Sequence, residues 1–475
     1  MGCIGKEKRN SMADDSSPTE ETDTSFQVII LGAGGGPMED NCTALLVRSK
    51  ALGWSRGSLL AVDAGVHLSA IDRLLQKYDP LPLERPHTLR YGILSGIELP
   101  HKTTAANSAH IARNLVGAHL ITHPHLDHIS GGIISTACPS SKPRKIAGLP
   151  STIEALKDHI FNDVIWPNLS DEDGGLGLVT FMRLNSGGSA VFGDGVTKGY
   201  IEVVEGLGVK SWAVSHGNCV GNFPYHSASP ETSKRSSISQ RSHPSSFTNE
   251  TFSQTRALNL SPTFPNRFRV YTSSAFFIRD IASGEEILVW GDVEPDSISS
   301  HPRNRQVWID AAPKVAAGTL KGIFIECSYD DSRPDEMLFG HLSPRYVIEE
   351  LISLAAEVES YREESAHLKL SRDRSGSSHV RGSCPSPTTI HRAIAVRQQG
   401  TPREHGDVRK TSHGASGSKD YALRGVKVVL IHLKEALDDG EDLKDVILRE
   451  LGEHEKVVKL GCEFVVSERG MCINL

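Results

Sequence analysis

Short runs of apolar residues, each followed by a polar or glycine-containing turn, recur along most of this chain. Apolar runs of about four to eight residues between turn signals are typical of buried strands. Such runs predict strands at 26–31, 43–47, 58–62, 118–121, 212–215, 268–272, 275–278, 287–290, 323–325 and 426–431. Helical spacing of apolar residues predicts helices over 68–78, 105–116, 345–361 and 443–453. Strands that end in polar loops and alternate with helices indicate an α/β layered fold.

Two polar stretches interrupt this pattern. Residues 227–256 are dense in Ser, Pro, Thr and charge, and residues 363–420 are similar, with added Gly, Arg and His. Because neither has enough apolar residues to offset the entropy of ordering, both are predicted to be low-complexity, disordered surface insertions. Residues 1–24 are polar and are also predicted to be disordered. Residues 25–475 are then expected to form a single domain that the two insertions interrupt.

Composition narrows the class of protein. The chain has 475 residues, of which 38% are hydrophobic, and this is ample for a large core. Its net charge of -7 gives no sign of a nucleic-acid-binding surface. The eight cysteines lack CxxC spacing, which predicts reduced thiols in an intracellular, cytoplasmic protein. We expect no transmembrane segment and no secretory signal, since no apolar run is suited to either.

The motif HPHLDH at positions 123–128 follows the predicted strand 118–121 and is rich in metal-binding side chains. Side chains of an extended backbone alternate between two faces, so His123, His125 and Asp127 can share one face while the last histidine turns away. Imidazole and carboxylate groups suit zinc or manganese better than calcium. The alternative is a His-rich surface loop that binds nothing, which the alternation after a buried strand disfavours.

Further residues of metal-ligand type follow later strands. His216 comes directly after strand 212–215, Asp292 comes after Gly291 at the end of strand 287–290, and His432 ends the run 428–431. Each alone is more often a satisfied or surface residue. Together with the motif, they predict a site of two metal ions at the strand ends.

This ordered set resembles the metallo-β-lactamase superfamily, and the surrounding residues resemble its class II cyclic-nucleotide phosphodiesterases. The resemblance is carried by HPHLDHISGGIIS (123–135), LLAVDAG (59–65), SSAFFIR (273–279), GDVEPD (291–296), IECSY (325–329), FGHLSP (339–344) and IHLK (431–434). Gly132 and Thr136 depart from the family pattern but are not proposed ligands. The family implies an αββα sandwich and two divalent metal ions, with Zn²⁺ the first candidate and Mn²⁺ or Mg²⁺ the alternatives.

The resemblance also implies roles for the site residues. One metal would be held by His123, His125 and His216, the other by Asp127, His128 and His432, and Asp292 would bridge them. A metal-bridging hydroxide would convert a 3′,5′-cyclic nucleotide, with cyclic AMP the expected substrate, to the 5′-nucleotide and so lower cyclic-nucleotide signalling. Asp127 is therefore also counted as catalytic.

The proton for the leaving oxygen is assigned to Glu326 and His341. By the same resemblance, the carboxylate would orient the imidazole, which would act as a general acid. The rival assignment makes His341 the last metal ligand and places His432 behind it. The position of His432 at the end of a strong strand favours it as the ligand. Asp63 is expected to orient a metal-binding histidine.

Other functions remain open. A different hydrolase of the superfamily, such as an RNA 3′-end processing nuclease or an ester or thioester hydrolase, is the first alternative, although net acidity disfavours the nuclease. A non-catalytic scaffold would have lost ligands, whereas every expected position is filled. We expect no nucleic-acid partner, and a homodimer is left open.

Two kinds of modification are considered. Gly2 and Cys3 could be acylated, although Lys6 stands where Ser or Thr is usual. Ser237 and Ser412 follow paired basic residues, as substrates of a basophilic kinase do. The alternative at each place is an unmodified segment.

Overall fold

The computed structural model describes residues 24–79, 86–138, 140, 142–189, 193, 195–220, 268–375 and 421–475. Within these ranges, two sheets of seven strands pack face to face, and helices cover the outer side of each. This αββα arrangement confirms the predicted fold.

The first sheet has the strand order β16-β1-β2-β3-β6-β7-β8. Its strands are β1 (Phe26–Gly32), β2 (Ala44–Ser49), β3 (Leu59–Val62), β6 (Val116–Leu120), β7 (Arg144–Gly148), β8 (Val179–Arg183) and β16 (Cys472–Asn474). The helices of this half are α1 (Leu68–Tyr78), α2 (Thr104–His110), α3 (Leu126–Ser135) and α4 (Pro150–His159), and a π-helical turn (Ile111–Leu115) continues α2. A small ribbon pairs β4 (His87–Thr88) with β5 (Glu98–Leu99).

The second sheet has the order β15-β14-β13-β12-β11-β10-β9. Its strands are β9 (Ile201–Val204), β10 (Leu207–Val220), β11 (Phe268–Asp280), β12 (Glu286–Trp290), β13 (Leu320–Glu326), β14 (Lys427–Ile431) and β15 (Glu463–Val466). The helices are α5 (Asn304–Ala316), α6 (Pro344–Ser375) and α7 (Leu443–Val458), and 3-10 turns lie at Lys50–Leu52, Gly195–Thr197 and Asp335–Met337.

Strand β1 shows why the sequence signal is a continuous apolar run. Val28 and Ile30 pack in the core between the two sheets. Ile29 and Leu31 point the other way, into the layer that contains α1 and α2. A strand that is buried on both faces needs apolar residues at every position. Both sheets are covered in this way, so polar side chains concentrate at the strand ends.

The second outer layer is built around tryptophan. The rings of Trp290 on β12 and Trp308 on α5 have centroids 4.6 Å apart, and both side chains are fully buried. Leu351 of α6 and Ile447 of α7 complete the same cluster. This packing fixes the ends of β12 and β13, where candidate site residues lie.

Several predicted elements need correction. Residues 268–272 and 275–278 form one strand, β11, because Ser274 is buried and its hydroxyl donates to the Thr122 carbonyl at 2.8 Å. The insertion predicted from residue 363 begins later, since α6 continues to Ser375. Helices α3, α4 and α5 were not predicted: α3 contains two glycines, α4 begins at Pro150, and α5 contains Pro313.

Other predictions fall outside the described residues. These are the structure of residues 1–23, the insertion 227–256, the part of 363–420 from 376 onward, and the modifications at Gly2, Cys3, Ser237 and Ser412. Among the described helices, none combines the length and apolar character that crossing a membrane requires.

Candidate metal centre

The motif at 123–128 crosses from a strand to a helix. Strand β6 ends at Leu120, the chain bends at Thr122, and His125, with an extended backbone (φ of -68° and ψ of 149°), precedes the first residue of α3. Asp127 therefore lies in the first turn of α3. Only His123 and His125 follow the alternation that was predicted for an extended strand. Asp127 is positioned by helix α3 instead.

The structure brings all seven predicted metal ligands together in two groups that share Asp292. In each group, one ligand atom per residue lies within 4.8 Å of the others. The first group is His123, His125, His216 and Asp292, and the second is Asp127, His128, Asp292 and His432.

Asp292 is the centre of the arrangement. Its Oδ2 lies 3.6 Å from His123 Nε2 and 3.5 Å from His216 Nε2. The same oxygen lies 3.2 Å from His432 Nε2, and Oδ1 lies 3.1 Å from His128 Nε2. One carboxylate thus faces ligand atoms of both groups, as a bridging ligand must.

His216 owes its direction to a β-bulge. In the β10–β11 ladder, Ser215 pairs with Thr272 and Asn218 pairs with Val270, so two residues of β10 oppose one of β11. Gly217 has a φ of 71°, which favours glycine. A bulge bends the strand and re-aims the neighbouring side chain. Here it directs His216 towards Asp292.

Two histidines donate a hydrogen bond from Nδ1 to oxygen atoms that can only accept one. Nδ1 of His128 lies 2.8 Å from the Asp63 carboxylate, which confirms the expected contact of Asp63. Nδ1 of His216 lies 2.8 Å from the carbonyl of Gly340. These bonds fix the ring orientations and leave Nε2 of both rings towards the centre.

Two more histidines are oriented by threonine. Thr43 donates its hydroxyl hydrogen to the Gly34 carbonyl, so its Oγ1 accepts from His432 Nδ1 at 2.7 Å. Thr122 donates to Asp63, so its Oγ1 accepts from His123 Nδ1 at 3.1 Å. Both rings therefore carry the lone pair on Nε2, which is the form that binds a metal.

Buried polar atoms without a well-aligned hydrogen bond indicate where a cation would bind. Nε2 of His123, His128 and His432 and Oδ1 of Asp292 are buried and make no well-aligned hydrogen bond, although His128 Nε2 lies 3.1 Å from Asp292 Oδ1. Buried polar atoms nearly always have a partner or an ion. Imidazole nitrogen and carboxylate oxygen are zinc ligands, so the donor set fits divalent metal ions.

Burial and charge decide which imidazoles are neutral. Burial lowers the pKa of His216 to about 4 and lowers that of His123 well below its usual value. Neutral imidazole is the metal-binding form. For His128, burial is outweighed by the carboxylates of Asp292 and Asp63, which raise its pKa. The pKa of Asp292 is lowered by His128 and the other surrounding histidines, against the effect of burial.

Glu326 and His341 form a pair beside the centre. Glu326 ends β13, and its Oε1 lies 2.9 Å from His341 Nδ1 and accepts from the Val293 amide at 2.9 Å. Burial raises the pKa of Glu326 to about 7 and lowers that of His341 to about 4. His341 Nδ1 lies 3.8 Å from Asp292, and His341 forms a third group with His216 and Glu326. The second ligand group therefore contains His432 but not His341.

Sequence reasoning missed two residues next to His432. A Cβ on Gly35 would lie 2.5 Å from His432 Nε2, so only glycine fits there. Lys434 donates to the Gly35 carbonyl at 2.7 Å, and its Nζ lies 3.9 Å from Asp127 Oδ2. The glycine-rich segment 32–36 was the available signal, but a local sequence does not show which distant residue packs against it.

Two face-to-face sheets covered by helices, with an HxHxDH loop at their edge, define a metallo-β-lactamase fold with a candidate dinuclear centre. The model of the class-II cAMP phosphodiesterases matches residues 25–371, and the chain belongs to this family.

Relatives and a solved structure agree with this family. A 3′,5′-cyclic-nucleotide phosphodiesterase of Schizosaccharomyces pombe is 29% identical over 345 residues, covering 71% of this chain and 78% of the relative. One of Candida albicans is 24% identical over 490 residues, covering 94% and 99%. The crystal structure of unliganded yeast PDE1 aligns with a TM-score of 0.61 and 21% identity over 95% of this chain and 100% of that one, and it supports the fold alone.

Proposed function

We propose that this protein hydrolyses 3′,5′-cyclic nucleotides to 5′-nucleotides, with cyclic AMP the expected substrate and two divalent metal ions, Zn²⁺ first, as cofactors. The observation that carries the proposal is the pair of ligand groups that share Asp292 and contain buried nitrogen and oxygen atoms without a well-aligned hydrogen bond. Relatives named as 3′,5′-cyclic-nucleotide phosphodiesterases supply the substrate class.

We assign one metal to His123, His125 and His216, the other to Asp127, His128 and His432, and the bridging role to Asp292. Metals bound here would polarise the phosphoryl oxygens and make a water molecule acidic enough to ionise near neutral pH. The side chains of the protein would supply the remaining functions, including transfer of a proton. Asp127 and His125 are only partly buried, so the centre is open to substrate on their side.

His341 is proposed to give a proton to the leaving ribose oxygen. Its Nδ1 lies 2.9 Å from Glu326 Oε1, so the carboxylate would orient the ring and stabilise its protonated form against the lowering of its pKa by burial. Nε2 would then be the atom that transfers the proton. Ser328 donates to Glu326 Oε2 at 2.6 Å, so the carboxylate itself is fixed. His341 groups with His216 and Glu326 and not with Asp127, His128 and His432, which supports this role for His341 over that of last metal ligand.

A cytoplasmic location is part of the proposal. Among the described residues, Cys42, Cys138, Cys327, Cys462 and Cys472 are all free thiols. This agrees with a reducing compartment. Acylation of Gly2 or Cys3, phosphorylation of Ser237 or Ser412, and homodimerisation stay predictions that need their own measurements.

The activity test is product analysis. Purified protein should convert cyclic AMP to 5′-AMP, and cyclic GMP to 5′-GMP, as resolved by chromatography. Asp292→Ala should abolish both reactions, while Glu359→Ala, on an exposed position of α6, should leave them unchanged. No hydrolysis of either nucleotide by the wild-type protein would favour another hydrolase of the superfamily.

A further inference from the structure

One exposed aromatic side chain lies against the metal centre and has no part in the chemistry described above. Tyr271 is 45% exposed. Its ring centroid lies 5.4 Å from that of His125, with the rings at 72°, and 6.5 Å from that of His216. The phenol ring is therefore next to the imidazoles proposed to hold one metal, on the side where the centre is open.

The backbone fixes Tyr271 in this place. It is the single β11 residue opposite His216 and Gly217 in the bulge, flanked by the Ser215–Thr272 and Asn218–Val270 pairs. The bulge that aims His216 at Asp292 therefore also sets the position of the tyrosine. A rigid aromatic group on a strand loses little conformational freedom when it binds a ligand.

Other apolar side chains are exposed near the same ligands. Leu126, between His125 and Asp127, is 68% exposed. Phe339 is 63% exposed and has a φ of 51°, in a left-handed region that bulky residues rarely adopt. It precedes Gly340, whose carbonyl accepts from His216. Strained, exposed positions of this kind are typical of ligand-binding sites.

We propose that Tyr271 is the platform on which the base of the cyclic nucleotide stacks while its phosphate lies at the metal centre. The inference rests on the proposed function and names the specificity-determining residue of that site. A purine presents a flat π-face, and a phenol ring is a suitable partner. Because stacking accepts every base, Tyr271 would distinguish cyclic nucleotides from phosphodiesters without a base, and would contribute similarly to cyclic AMP and cyclic GMP.

The test compares two substrates, cyclic AMP and the base-free 1-O-methyl-ribose 3,5-cyclic phosphate, in wild type, Tyr271→Ala and Tyr271→Phe. For cyclic AMP, Tyr271→Ala should lower kcat/KM by roughly 5- to 150-fold, the range expected from the stacking of one base. The loss should appear in KM, since stacking binds the ground state and the transition state alike. Tyr271→Phe should keep most of the activity, and all variants should keep the wild-type metal content.

For the base-free substrate, Tyr271→Ala should match the wild type. An equal fall for both substrates, or a loss of metal, would show that Tyr271 only supports the ligands and would overturn the proposal. Unchanged kinetics with cyclic AMP would overturn it as well. If the wild type hydrolyses neither substrate, the proposed function fails, and calorimetric binding of cyclic AMP still decides the role of Tyr271: unaltered affinity in Tyr271→Ala rejects stacking.

Discussion

At the residue scale, the site depends on which nitrogen of each imidazole carries the proton. Thr43, Thr122 and the Gly340 carbonyl each accept from an Nδ1, and each of these bonds leaves an Nε2 with its lone pair towards Asp292. Asp63 accepts from Nδ1 of His128 and orients that ring in the same way, although the pKa of His128 is raised by Asp292 and Asp63. The ring orientation is set before any metal arrives. Changes to these partners are expected to weaken metal binding without removing a ligand.

The roles of His341 and His432 can be separated by substitution. His341→Ala should keep both metals but lower kcat by about 10²–10⁴-fold, as expected for loss of a general acid. His432→Ala should lose metal, because its Nε2 lies 3.2 Å from Asp292 and belongs to the second ligand group. Metal analysis by mass spectrometry together with kcat measures both effects. The reverse metal contents would make His341 the ligand.

Gly35→Ala tests the close contact with His432. A Cβ 2.5 Å from His432 Nε2 should displace the ring and weaken metal binding by about 10- to 100-fold, the usual effect of a disturbed ligand orientation. Gly452→Ala is a matched control on α7, because its Cβ would meet nothing within 4 Å. Metal titration of both variants is the measurement. Equal metal affinity in both variants would show that a Cβ at position 35 does not disturb His432.

The residues of the two ligand groups, and Asp63 behind them, could be predicted from sequence, whereas Gly35 and Tyr271 could not. His216, Asp292 and His432 each follow an apolar run, and the register of a sheet brings such ends to one edge. Gly35 and Tyr271 touch the site through contacts between distant segments, which no local pattern encodes.

At the element scale, a buried ion network joins α5 to β10. Asp310 Oδ2 lies 2.8 Å from Lys210 Nζ and accepts from Trp212 Nε1 at 2.8 Å, and its Oδ1 accepts from Lys314 at 3.0 Å. Lys314 also lies over the Phe277 ring at 3.6 Å. The network holds the outer helix against the strand that carries His216.

Asp310→Ala should destabilise the protein by about 3–5 kcal/mol, because it leaves the largely buried Lys210 ammonium without its carboxylate and Lys314 with only Glu286, 3.8 Å away. Denaturant unfolding measures this, and Asp158→Ala, at an exposed position of α4, is the control, expected to change stability by no more than about 0.5 kcal/mol. A similarly small change for Asp310→Ala would show that the network is not stabilising.

The same carboxylate predicts a pH dependence. Although burial opposes it, Lys314 and Lys210 hold the pKa of Asp310 below its usual range. A folded-state pKa below that of the unfolded chain gives stability above the unfolded value of about 4, and this stability is lost as the pH falls further. The difference between wild type and Asp310→Ala should therefore shrink below about pH 4. A constant difference there would contradict the assigned ion pairs.

Element boundaries were predicted less well than element types. The polar residues Ser273 and Ser274 suggested a break in β11, yet both are buried and the ladder continues. Charged residues after Tyr361 suggested the end of α6, but the helix extends to Ser375. In β11, pairing with β10 outweighed the local polar signal. In α6, the helix continues in spite of the charged residues.

At the scale of the whole molecule, the first predicted insertion should be dispensable. Val220 and Phe268 are register partners at the ends of β10 and β11, so the chain leaves and re-enters the sheet at one point. Deletion of 227–256 should therefore leave the melting temperature and the kcat for cyclic AMP close to wild type. A loss of folding or turnover would show that this segment belongs to the core or to the site.

The central claim is that two bound metals make this site a cyclic-nucleotide phosphodiesterase. The most direct measurement is cyclic AMP hydrolysis by chelator-treated protein during stepwise addition of Zn²⁺, with bound metal counted in parallel. We predict no turnover in the metal-free protein and full recovery as both ligand groups fill. Undiminished hydrolysis by metal-free protein would contradict the account.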